Sequence, residues 1–219
     1  MSQICSQPIE NFPSEEEYHR LCGDEPNLLQ PRGVAVNLQS DLQSNLAKYG
    51  CWCDLENKQR TRGGPNVVNE MDGICKQLHI NYNCIERSVP GCDPRENNNY
   101  AVPFMFFFGF GTVEDGCNQA NPGKGECEIQ TCIADAVFLK ETLFSMNGGY
   151  SNQRFDTNYK HIGYGGTFDY DVECPSVCSG GGCSVDKELQ CCGELPAMVE
   201  FNADKNMCCA NQVVGLGSC

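Results

Sequence analysis

Apolar residues recur at helical spacing in two stretches of the chain. In the first, Met71, Ile74, Cys75, Leu78 and Tyr82 repeat every three or four residues and predict a helix over 70–85. In the second, Ile129, Cys132, Ile133, Ala136, Val137, Leu143 and Phe144 share one side of a predicted helix from Glu126 to Phe144, which Gly148 and Gly149 end. A shorter helix candidate covers 40–50, with Ser40 as its cap, Leu42, Leu46 and Ala47 on its apolar side, and Gly50 as its stop. The stretch AVPFMFFFGFGT at 101–112 is β-prone and aromatic and is expected to form a hairpin arm. Its phenylalanines suit a core strand with a cover from the same chain, a protein contact surface, or a membrane lip. The segments 54–70, 86–101 and 118–126 read as loops.

Three regions follow from this pattern. Residues 1–33 are a polar, acidic arm anchored by Cys5 and Cys22. Residues 34–149 hold the helices. Residues 150–219 begin with a Gly, Tyr and Asp rich connection and end in a cysteine-rich module that is expected to be irregular. Eight cysteines fall between Cys174 and Cys219, a stretch too short to build an adequate apolar core of its own. They are expected to pair mainly among themselves.

Composition adds the compartment. The chain has 219 residues and 18 cysteines, an even number at the edge of the disulfide-scaffold range. Three histidines and the lack of paired C-x-x-C knuckles argue against a reduced metal-cluster protein. An oxidising, extracellular location is expected. The opening MSQICSQPIENF lacks the basic start and apolar run of a signal peptide, so a mature form is expected. The longest apolar stretch, 101–110, is too short to span a bilayer. A net charge of −14 excludes nucleic acid as a partner and simple electrostatic docking on anionic membranes.

Two residues stand out as candidate chemistry. His79 lies one turn after Cys75. Asp135 lies mid-helix between Ala134 and Ala136, where a carboxylate is locally unfavourable and needs a partner. A histidine on a neighbouring helix would be such a partner. The carboxylate would fix the ring tautomer and leave the other nitrogen to take a proton from water.

The motifs around these residues resemble a known family. YGCWC at 49–53, the D-x-x-C-x-x-x-H helix at 72–79 and C-E-x-x-x-C-x-x-D at 127–135 are similar to secreted phospholipase A2 over about residues 40–145. The resemblance implies a mainly α, disulfide-rich fold: two antiparallel helices, a calcium loop and a small β-wing, here with an irregular cysteine-rich tail. It implies hydrolysis of the sn-2 ester of phospholipids, with His79 as general base and Asp135 as its orienting partner. It implies the pairs Cys53–Cys75, Cys92–Cys127 and Cys117–Cys132. It places Trp52 and Asp54 where backbone carbonyls hold Ca2+. One family bridge is absent at both ends, where Tyr82 and Ala134 stand.

Other departures bear on activity. The family has an aspartate calcium ligand directly after the histidine, and this chain has Ile80, which offers no oxygen. The loop DLENKQRTRGGP is longer and more charged than the family's glycine-rich one, and Asp54 or Glu56 is the candidate substitute ligand. The spacing from Cys75 to His79 is one residue longer than the family's. The expectation is a secreted phospholipase A2-like protein with impaired or lost calcium-dependent catalysis, acting as an extracellular binding or self-assembling structural module. The alternative is an active calcium-dependent phospholipase.

Overall fold

The computed structural model describes residues 46, 48–53, 67–96, 99–103, 111–146, 156–174 and 189–219. The arm at 1–33, the loop carrying Asp54 and Glu56, and the phenylalanines at 104–110 lie outside the described residues, as does most of the helix candidate at 40–50.

The two expected helices are α1 (Glu70–Ser88) and α3 (Glu126–Met146). Asn69 starts α1 by accepting the Asp72 N–H on its side chain at 3.0 Å. Glu70 and Asp72 suit the positive end of the helix. Met71, Cys75, Leu78, Tyr82 and Ile85 form the buried face. The helix stops at Val89, ahead of Pro90. Between the two lies α2 (Val113–Ala120), which the hydrophobic pattern does not predict. Thr112 caps it by accepting the Asp115 N–H at 3.1 Å.

α1 and α3 pack side by side and run antiparallel. Cys92, just past the end of α1, is joined to Cys127 in the first turn of α3. At the other end Glu70 and Glu141 line the same groove. Cys117–Cys132 ties α2 to α3, and Cys53–Cys75 ties the loop at 48–53 to α1. One apolar cluster gathers Leu46, Tyr49, Met71, Tyr100, Ile133 and Leu139 around these bridges. A second gathers Leu78, Tyr82, Ile85, Val89 and Ala134. Tyr82 and Ala134 share that cluster, so the two ends of the missing bridge are replaced by apolar packing.

The tail differs from the irregular module expected. It forms two antiparallel hairpins, β1 (Leu189–Cys192) with β2 (Val199–Asn202), and β3 (Asn206–Cys209) with β4 (Gln212–Gly215). Ala210 and Asn211 make the second turn with φ of 47° and 64°, the geometry of a two-residue hairpin that matches strand twist. Adjacent strand residues face opposite sides. Cys191 therefore reaches Cys84 on α1, while Cys192 reaches Cys208 in the other hairpin. Cys209 pairs with Cys219, and Cys174 with Cys51. The tail is thus bound to the helical core as well as to itself. A short helix, α4 (Tyr170–Glu173), leads to Cys174. No described cysteine is free, and no described helix is long and apolar enough to cross a membrane.

Candidate functional site

The loop at 48–53 is held from two sides. Both oxygens of Asp72 accept backbone N–H groups, from Trp52 at 2.7 Å and from Val68 at 3.1 Å. Asp72 is fully buried. Burial pushes its carboxyl above the ordinary value, against the opposing pull of hydrogen bonds from Val68, Trp52 and Cys51. Gly50 makes the approach feasible. Its φ is +56°, and a Cβ there would lie 2.5 Å from Asp72 Oδ1. On the other side, the Gly50 N–H donates to the Tyr159 carbonyl at 2.8 Å, and His161 Nε2 meets the Gly50 carbonyl at 2.7 Å. Phe168 stacks on the His161 ring, at 5.7 Å between centroids. The buried Tyr49 hydroxyl accepts from Asn69 Nδ2 at 2.6 Å, and burial raises its pKa.

His79 belongs to this loop. Its Nε2 lies 2.9 Å from the Trp52 carbonyl. A carbonyl only accepts, so in this contact Nε2 carries the proton. The Trp52 ring centroid lies 5.9 Å from that of His79 and 5.1 Å from Lys76 Nζ.

Asp135 is buried in α3. The Tyr100 hydroxyl donates to its Oδ2 at 2.5 Å, and the Tyr82 hydroxyl donates to its Oδ1. Both phenols are buried. The Arg95 guanidinium sits over the Tyr82 ring at 5.4 Å.

The hydrogen bonds described for His79 and Asp135 therefore run to different partners. Each residue turns about 100° around the axis. Tyr82 points to Asp135, and the residue one turn before Tyr82 is Leu78, buried in the same cluster as Ala134. His79 is rotated one step away, beside Asp72, and meets Trp52. Ile80 is a further step round, on the side of α1 opposite Tyr82, and is half-buried. Among the described residues, no group of three or more His, Cys, Asp or Glu is placed to hold a metal ion. Asp54 and Glu56 lie outside the described residues.

Asp72, Tyr100 and His161 gain roles that their sequence positions alone do not announce. Asp72 heads the D-x-x-C-x-x-x-H motif, which is a signal. Tyr100 and His161 sit in loop-like stretches and carry none. No protein-family model, no curated protein and no solved structure matches this chain.

Proposed function

We propose that the chain is a secreted phospholipase A2-like protein that has lost calcium-dependent catalysis and acts outside the cell as a binding or self-assembling module. Support for the resemblance comes from two antiparallel helices and from Cys53–Cys75, Cys92–Cys127 and Cys117–Cys132, the three pairs it implies. Support for lost catalysis rests on one contact, His79 Nε2 on the Trp52 carbonyl at 2.9 Å. That carbonyl is the one the resemblance would give to calcium, and an imidazole occupies it.

The extra residue between Cys75 and His79 accounts for both changes at once. It puts the histidine where its Nε2 meets the Trp52 carbonyl, the group the resemblance gives to calcium. Leu78 takes the inward place, and a leucine neither accepts a proton from water nor binds a cation. The described residues do not fit calcium, because Ile80 supplies no oxygen and the Trp52 carbonyl is already bonded. Asp135 keeps a structural task, accepting two buried phenol protons.

Hydrolysis of an sn-2 phospholipid ester, with and without calcium, tests the reading on protein with intact disulfides. No calcium-stimulated turnover is expected. Turnover that requires calcium and disappears in His79→Gln would establish the active alternative. A repair variant tests the phase directly. Leu78→His with His79→Asp returns a base to the Asp135 side and a carboxylate to the Trp52 carbonyl. Calcium should change the fluorescence of the chain's single tryptophan in that variant and not in the wild type. Self-association, the other part of the proposal, is read by light scattering.

A further inference from the structure

Between α1 and α3 runs a groove of about 390 Å³. Ile74 and Leu78 form one wall, and Val137 and Phe138 the other. Its size and apolar lining are those of a small-molecule site. One end is fixed by the amides of Gln77 and Asn81. Gln77 donates to the Met198 carbonyl, and Asn81 to the Pro196 carbonyl, both at 2.9 Å. The opposite end carries Glu70 from α1 and Glu141 from α3, one carboxylate from each wall.

Gly73 lies within this groove. It sits early in α1, where glycine weakens a helix relative to almost any other residue. Its φ is not left-handed, and among the described residues a Cβ there would meet nothing within 4 Å. Among the described residues, neither backbone conformation nor close packing calls for glycine at this position. Its effect is to leave the groove open.

We propose that this groove binds a small amphiphile with an apolar body and a cationic head, the head lying between Glu70 and Glu141. The apolar walls favour burial of a hydrocarbon chain. The paired carboxylates, in a chain of net charge −14, favour an ammonium group and disfavour a carboxylate or phosphate head. Trp52 and Asp135 do not line the groove, although Leu78 and Ala134 do, and the inference does not depend on the phospholipase resemblance.

Calorimetric titration of the full, disulfide-intact protein with decylamine, below the concentration at which it forms micelles, tests this. One saturable site is expected, with decanoate at least tenfold weaker. Glu70→Gln with Glu141→Gln should weaken decylamine several-fold and narrow its advantage over decanoate. Gly73→Leu should fill the groove and abolish binding while leaving the thermal midpoint unchanged or higher, because leucine is the better helix former. Three results would each overturn the proposal: no saturable decylamine site, decylamine binding that survives Gly73→Leu, or decanoate binding as tight as decylamine.

Discussion

Asp72 sits in the first turn of α1 with no solvent exposure, and both of its oxygens accept N–H groups from the chain around Trp52 and Val68. Asp72→Asn keeps the shape but turns one acceptor into a donor. One buried N–H then faces an NH2 group, and the expected cost is about 1–3 kcal/mol in urea unfolding. The pH dependence has a definite sign. Burial holds the folded pKa above the ordinary 3.8, so between those two values the folded protein binds the proton more tightly than the unfolded chain. This group's effect on stability is therefore a loss as pH rises through that window. Asp72→Asn should flatten that decline, as read from unfolding curves across the acid range. An unchanged slope would show that another group is responsible. At this scale the sequence is partly legible. His79, Asp135 and Trp52 all stand at the centre of the described contacts. The described hydrogen bonds take His79 to the Trp52 carbonyl and Asp135 to the Tyr82 and Tyr100 hydroxyls, partners that sequence spacing does not announce.

α1 was readable because it buries one apolar face along its length; α3 is buried all round from Thr131 to Ala136, so its length and apolar content carried it rather than a clean period. α2 has eight residues, and its strongest signal was Thr112 followed three positions later by Asp115. The hairpins of the tail were harder still. Their strands are four residues long, cysteine interrupts any alternation, and the turn between β3 and β4 is Ala-Asn rather than Asn-Gly. Ala210 adopts left-handed geometry at a cost of about 1 kcal/mol. Replacing Ala210→Asn and Asn211→Gly supplies the residues that such a turn favours. The double variant should be more stable by up to about 1 kcal/mol, seen as a higher thermal midpoint. A lower midpoint would mean that the turn contributes through contacts of the Ala210 or Asn211 side chains instead.

Across the whole molecule, disulfides decide which parts move together. The pairs implied by the resemblance are present in the core. The expectation that the tail pairs mainly with itself did not anticipate Cys51–Cys174 and Cys84–Cys191, which cross 123 and 107 residues. Sequence spacing carries no information on such long connections, since loop entropy rises only slowly with length. The second of these bridges clamps the first hairpin onto α1. Around it, Arg87 meets Glu200, Asn83 donates to Glu200 at 3.2 Å, and Leu195 packs against both apolar clusters. Removing the bridge with Cys84→Ser and Cys191→Ser tests how much of the docking it supplies. Its loop is already shortened by Cys53–Cys75 and Cys51–Cys174 to a path of roughly 30 residues, for which chain entropy gives about 3.5 kcal/mol. The polar contacts on α1 remain in the variant, so docking should persist with a loss of about 2–4 kcal/mol in non-reducing denaturant unfolding. Faster amide exchange in β1 and β2, with α3 unaffected, would identify the tail as the unit that opens. If stability is unchanged and exchange is the same throughout, the Cys84–Cys191 bridge does not hold the tail to the core.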